Sequence, residues 1–308
     1  MSKSNTYQFV ELECDFQKTI TDKLSISGRS PYTKEQCKIE ISPQDEDSGI
    51  IFITPNGVEI ASLINNAKSD NDAHTTSLVS ENEEIKTVEH LLSAIWGLGV
   101  DNAVIKMHTT HLPFLDASAI GYANEIMNTG IRSQSKLRKY IKIINERKFK
   151  ESPSSERFAI LRPSKVTEIK STTSFDNIVG TKTVDYKWDE NKYLEEISFA
   201  RTFLRSPLDD EGKVWDHVKK LFPFIPVDPE NSPIIIYNDN KFITPLRSED
   251  EPARHKVLDF IGDISLLGYR LLSEIELNLP GHRFTRQIVR EISKEMSSTT
   301  TIKITKGC

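Results

Sequence analysis

Cysteine is scarce: Cys14, Cys37 and Cys308 are the three in 308 residues, and no CxxC or CxxxC pair occurs. That excludes a disulfide scaffold and a cysteine-rich zinc module, and fits reduced thiols. No run approaches the roughly 18–20 apolar residues needed to span a bilayer. The opening MSKSNTYQFVELECDFQKTI has neither an apolar h-region nor an Arg-rich amphipathic pattern, so a cytoplasmic protein with no transmembrane segment is expected. Basic charge is not in excess: the net charge is −5 and the pI about 5.9. The footprint of a general nucleic-acid binder is missing, and no nucleic-acid partner is expected. A phosphorylated small substrate stays compatible, because a few local Lys and Arg can hold it. The absence of GxxxxGK[ST] and GxGxxG counts against a nucleotide-binding protein. The absence of a GxSxG elbow counts against a serine hydrolase, and neither Cys14 nor Cys37 has a histidine close by in sequence.

What is present is enough to fold. Hydrophobic residues make up 37% and charged residues 28%, which supports a packed core in a chain long enough for two domains. Lys38–Ser42 alternates and Gly49–Thr54 is a β-branched run, both strand patterns. Thr87–Gly99 (TVEHLLSAIWGLG) reads as a helix with Thr87 as N-cap. Ala103–Met107 is a strand, and Ser118–Gly130 a second helix closing on glycine. The polar run Arg132–Lys139 reads as a linker. Strands follow at Tyr140–Ile144, Arg157–Leu161 and Thr167–Ser171, then a helix over Pro252–Gly268, a strand over Leu271–Leu277 and a helix over His282–Met296. In both halves a histidine-bearing helix that closes on glycine leads to a strand and then to another helix. The expected fold is therefore α+β: two similar units, about 1–133 and 138–308, each a sheet with helices on one face, packed helix layer to helix layer. The segment 204–250 is an insertion, with a short helix over Glu211–Leu221 and a hairpin over Ile234–Ile243 beside a proline cluster, FPFIPVDPENSP.

Chemistry concentrates in three places. In RHKVLDFIGDISLLG, His255, Asp259 and Asp263 stand at i, i+4 and i+8, stacked turn upon turn beside an apolar face. A histidine and a carboxylate one turn apart can both reach one divalent cation; a solvated polar stripe is the competing reading. Glu89-His90 begins the first histidine-bearing helix. His90 can supply a third ligand, which leaves a fourth position open as in catalytic zinc sites, and Glu89 can take a proton from a water there. A surface helix start is the alternative. In PGHR, His282 sits at a strand–helix junction; protonated, it can stabilise an oxyanion or donate to a leaving amine, with Asp263 as orienting partner. An exposed cap histidine is the bland alternative.

Together these segments resemble the UDP-3-O-acyl-N-acetylglucosamine deacetylase family, from about Gln17 to Glu295. The resemblance is dense in TVEHLLSAIWGLGVDNAVIKM with LPFLDASA, in FARTF (Phe199–Phe203), and in EPARHKVLDFIGDISLLG with PGH. It implies two α+β domains packed through their helical layers. It implies one Zn2+ per chain on His90, His255 and Asp259, with Fe2+ an alternative occupant. Glu89 would be general base, His282 the protonated electrostatic partner, and Asp263 its holder. Thr202 would bond the developing oxyanion, Phe203 would lie against the sugar and Lys256 near the charged part of the substrate. The implied reaction is removal of the N-acetyl group from an acylated UDP-amino sugar, the committed step of lipid A biosynthesis, by a monomer. The sequence departs from the family in three places. ISGRSPYTKEQ (Ile26–Gln36) replaces a GxGxHxG stretch, DASA replaces DGSA, and no GGS turn follows the RTF segment. Trp215, Leu221, Phe222, Phe224 and Ile225 are candidates for an apolar groove or for core under the insertion. A paralogue acting on another N-acetylated sugar nucleotide or amino sugar is the runner-up. A binding module with a structural metal or none is the non-enzymatic alternative, and a test of Glu89 separates it from an enzyme.

Overall fold

The computed structural model describes residues 6–68, 74–176, 178–228, 232–296 and 302–305. β1 (Tyr7–Ile20) leads into β2 (Leu24–Arg29), β3 (Gln36–Pro43), β4 (Ile50–Ile53) and β5 (Glu59–Ala61). A small hairpin, β6 (Leu78–Ser80) and β7 (Glu83–Ile85), precedes α1 (Glu89–Gly97), β8 (Ala103–Met107) and α2 (Ile120–Thr129). β9 (Ile131–Ile143) leads into β10 (Arg147–Lys150), β11 (Phe158–Pro163), β12 (Thr167–Phe175) and β13 (Gly180–Lys187). A helical segment, α3 (Glu190–Lys192), continues as a wider turn over Tyr193–Ile197. The insertion holds β14 (Phe203–Arg205), α4 (Glu211–Leu221) and β15 (Ile235–Tyr237). α5 (Glu251–Ile264), β16 (Arg270–Asn278), α6 (His282–Met296) and β17 (Ile302–Thr305) complete the order.

The fold is α+β, and its repetition runs strand by strand. One sheet has the order β2-β3-β8-β4-β5, with β4 and β8 parallel and the other neighbours antiparallel. In the larger sheet β10-β11-β16-β12-β13 repeats that order, with β12 and β16 parallel and the rest antiparallel. The lead strands β1 and β9 correspond as well. They pair antiparallel with each other, β9 runs parallel to the start of β16, and Thr19 of β1 forms a parallel bridge to Asn102 just before β8. β17 adds to β1 in parallel.

This arrangement corrects the linker reading. Arg132–Lys139 lies inside β9, with Ile131 opposite Ile20 and Leu137 opposite Phe16. Its first half is exposed or half-buried, so the polar composition marks a solvated strand face rather than a break in structure. Thr87 is likewise not the cap of α1. It takes a left-handed φ of 59°, Val88 holds the cap position without a side-chain bond, and the Thr87 hydroxyl pairs with the Tyr32 hydroxyl at 2.7 Å. Ala117 of DASA also has φ 59°, a conformation that glycine adopts at least cost.

All nine residues of α1 are buried, because the helix lies against α5 and α2 inside one continuous apolar cluster. Two glycines permit this. A Cβ on Gly262 of α5 would stand 2.1 Å from the Glu89 carbonyl oxygen of α1, and one on Gly97 would stand 2.4 Å from the Tyr193 ring. In the insertion, Trp215 and Ile225 join Val214, Val218, Ile234 and Ile236 in a second cluster that reaches Phe114 and Ala117. They pack as core. Phe222 stacks on Phe114 at 6.2 Å, Phe224 is half-buried and Leu221 is exposed. Cys14 and Cys37 are free thiols, and Cys308 lies outside the described residues.

Candidate metal and acid–base site

The site forms where the starts of α1 and α6 meet the face of α5 that runs from His255 to Asp263. α5 begins on Glu251-Pro252, with proline in the first turn where its missing N–H costs nothing. Glu251 is fully buried and binds Arg201 through both carboxylate oxygens, at 2.8 and 3.0 Å. That ion pair ties the FARTF segment to α5. It sets the Ala200 carbonyl 3.0 Å from His255 Nδ1, so Nδ1 carries the proton and Nε2 is left with its lone pair.

His255, Asp259 and Asp263 do share a face of α5, but as buried groups rather than as a solvated stripe. His90 of α1 joins them. His90, His255 and Asp259 each offer a ligand atom within 4.8 Å of the others. His255 Nε2 is 3.3 Å and His90 Nε2 3.8 Å from Asp259 Oδ1. Burial, followed by the repulsion of His255, depresses the His90 ring to about 3, and burial also lowers His255. Both rings are therefore neutral near pH 7. Asp259 is held well below the usual carboxylate range: burial opposes ionisation, and His255, Lys256, His282 and His90 outweigh it.

Among the described residues, nothing donates a hydrogen bond to the buried Asp259 Oδ1. Two imidazole rings and an orphaned carboxylate oxygen converge in a buried pocket, and a cation between them would satisfy all three. The donor set, two nitrogens and one oxygen, suits zinc with an open fourth position, and ferrous iron is a compatible occupant.

Glu89 and His282 flank this set. The Glu89 carboxylate accepts from Thr75 Oγ1 at 2.8 Å and from the Thr76 backbone N–H at 3.0 Å. Burial pushes it up to about 7, against the pull of His282 and with the push of Asp263 and Asp259. His282 Nδ1 is 2.8 Å from Asp263 Oδ2, and its Nε2 is 3.5 Å from Asp259 Oδ2. Burial disfavours the charged ring, but Asp263 and Asp259 outweigh it and raise His282 to about 9. One side chain is thus tuned to hold a proton at neutral pH, and its neighbour to exchange one.

Phe203 lies edge-on to His255 at 6.0 Å. Thr202 precedes it, its N–H on the Ala117 carbonyl at 2.8 Å and its own carbonyl accepting from Ile235 at 2.9 Å. Lys256 donates to Asp259 Oδ2 at 2.8 Å and its ammonium stands 5.2 Å from the Phe203 ring centre, so a substrate would have to draw it from Asp259. Tyr32, from the segment that departs from the GxGxHxG pattern, lines a small pocket together with His90, Lys86, Thr87, Pro113 and Phe114.

Thr75, Thr76, Arg286 and the Ala200 carbonyl escaped the sequence reading. Thr75 and Thr76 have no periodic relation to the motifs, because only long-range folding brings them to α1 and α5. Arg286 did leave a signal, since it lies one helical turn after His282 on the same face of α6.

A sequence profile of the family described as UDP-3-O-acyl N-acetylglycosamine deacetylase matches residues 17–294. Among curated relatives, a UDP-3-O-acyl-N-acetylglucosamine deacetylase of Syntrophus aciditrophicus is 30% identical over 292 residues, covering 93% of this chain and 89% of the relative. Enzymes of the same name from Campylobacter hominis (31% over 282 residues, 90% of this chain and 91% of the relative) and Nautilia profundicola (30% over 279 residues, 90% and 91%) are similar to it to the same degree.

Proposed function

Since this chain belongs to the UDP-3-O-acyl N-acetylglycosamine deacetylase family, we propose that it hydrolyses the N-acetyl group of a UDP-3-O-acyl-N-acetylglucosamine, releasing acetate and the free amino sugar, as a step of lipid A biosynthesis. The observation that carries this is the unbonded, buried Asp259 Oδ1 facing two neutral imidazoles, with a proton acceptor and a proton donor on either side.

His90, His255 and Asp259 would hold the ion, Zn2+ or Fe2+. A divalent cation there supplies Lewis acidity, which polarises an amide carbonyl and lowers the pKa of a neighbouring water. Glu89, anchored by Thr75 and Thr76, takes the proton of the attacking water. The oxygen adds to the acetyl carbon, and the charge that builds on the carbonyl oxygen is met by protonated His282, with the Thr202 hydroxyl as second donor. The C–N bond then breaks as the nitrogen receives a proton from Glu89 or His282, because an amide nitrogen leaves poorly as an anion. Phe203 would bound the sugar and Lys256 would meet the charged part of the substrate. The two units expected from sequence, about 1–133 and 138–308, would share the work: the first gives Glu89 and His90, the second His255, Asp259, Asp263 and His282.

A second reading, deacetylation of a different N-acetylated sugar nucleotide or amino sugar, draws support from Tyr32 in the small pocket beside His90 and from the insertion, whose Trp215 and Ile225 pack as core with Phe114 and Ala117. Incubating metal-loaded protein with UDP-3-O-acyl-GlcNAc and with UDP-GlcNAc, and measuring free acetate, separates the two. Release from the acylated substrate alone supports the first. Release from neither refutes it.

A further inference from the structure

The sequence Thr75-Thr76 touches both proton-handling groups. Thr75 Oγ1 and the Thr76 N–H bind the two oxygens of Glu89. Thr76 Oγ1 donates to Asp263 Oδ1 at 2.5 Å, while the other oxygen of Asp263 takes His282 Nδ1. Behind the pair lies Arg286, which is 1% exposed. A single nitrogen, Nη1, donates to the Thr75 carbonyl and to Thr76 Oγ1, both at 2.9 Å.

The chemistry of these groups fixes the direction of every bond. A guanidinium only donates, so the Thr76 hydroxyl must accept from Arg286. Its one hydrogen is then committed to Asp263. Asp263, with one oxygen on that hydrogen, keeps the other for the Nδ1–H of His282. The His282 ring is thereby fixed with Nε2 toward Asp259. In parallel, the guanidinium grips the peptide whose next N–H orients Glu89. One buried cation thus sets the angle of two side chains on different helices.

We propose that Arg286, acting through Thr75 and Thr76, is a positioning residue that holds Glu89 and the Asp263–His282 pair in register for the hydrolysis. This rests on the function proposed above. Neither Arg286 nor Thr76 is among the three candidate metal ligands, so their removal leaves the ion's own donors in place.

The test is Thr76→Val, which removes one hydroxyl at nearly constant volume, alongside Thr76→Ser, Arg286→Met, Arg286→Lys and the Thr76→Val/Arg286→Met double variant. Wild type is assayed first for acetate release from UDP-3-O-acyl-GlcNAc; no release overturns the functional reading, and the inference falls with it. With an active wild type, Thr76→Val is expected to lower kcat by about 10–100-fold, the usual cost of losing an outer partner. KM and metal content should be unchanged, and Thr76→Ser should restore most of the turnover. Arg286→Lys should fall between wild type and Arg286→Met. The double variant should fall well short of the product of the two single effects, since the hydroxyl arm is lost in Thr76→Val and weakened in Arg286→Met, while the Thr75 carbonyl arm is lost only with Arg286. An active wild type with Thr76→Val turning over normally overturns the inference alone. So does metal loss in step with activity, or a double variant whose effects multiply. Thr76→Val keeps the test decisive if Arg286→Met does not fold.

Discussion

Replacing Gly262 with alanine tests the geometry most directly. The new Cβ would stand 2.1 Å from the Glu89 carbonyl oxygen, 2.8 Å from its carbonyl carbon and 2.9 Å from its Cα, whereas real Cβ atoms keep at least 3.0 Å from such neighbours. All three obstacles are backbone, so no rotamer relieves the clash, and the start of α1 must recede from α5 by about 1 Å, as overpacking requires. His90 is the second residue of α1 and travels with it. Metal sites tolerate ligand displacements of only about 0.2 Å, so this shift takes His90 out of bonding range of an ion held by His255 and Asp259. Gly262→Ala is expected to cost about 1–3 kcal/mol of stability and at least about 10–100-fold in metal affinity, the loss typical of disturbing even a supporting residue. Gly97→Ala is the control. Its Cβ meets the Tyr193 side chain at the far end of α1, so stability should fall while metal affinity holds. Urea unfolding and competition with a chromogenic chelator measure the two quantities. Wild-type metal affinity in a folded Gly262→Ala protein would refute the reasoning.

Glu89→Gln is expected to lower kcat by about 10²–10⁴-fold, the usual contribution of a general base, with metal content by elemental analysis unchanged; loss of the metal together with activity would make Glu89 structural. Asp263→Asn removes a charge that helps raise His282 to about 9. The proton that His282 must hold is then released earlier on titration, so the alkaline limb of kcat/KM should move to lower pH, and a limb that stays in place would assign it to another group. Breaking the buried Arg201–Glu251 pair with Glu251→Ala should cost about 3–5 kcal/mol, read from the shift in urea midpoint; a shift corresponding to less than about 1 kcal/mol would count against its role in fixing the Ala200 carbonyl. Dialysis against a chelator should abolish turnover and re-addition of Zn2+ or Fe2+ restore it. Stability should rise by about 2.7 kcal/mol at a free ion concentration of 100 Kd.

Local signals carried well from sequence to structure. The bounds of α4 and α6 coincide with those expected from sequence, and the i, i+4, i+8 stack on α5 located three of the site's side chains. Signals that depend on partners did not carry. β1 and β9 are long strands whose polar stretches become ordered only through their mutual register, and no window of either chain segment reveals its partner. Thr87 has the composition of a cap, yet it takes a left-handed conformation and pairs its hydroxyl with that of Tyr32. Thr75, Thr76 and the Ala200 carbonyl act through backbone and hydroxyl groups that any sequence offers in abundance, so only their assembled positions distinguish them.

The two histidine-bearing helices are equivalent members of the two repeats, yet the ligands they offer lie far apart along the chain. An ion bridging them is consequently a cross-link as well as a reagent. It closes a long loop, and the entropy withheld from the unfolded chain grows with the logarithm of that loop's length. Hydrogen exchange along α1 should therefore slow when the ion binds, even at amides remote from the site.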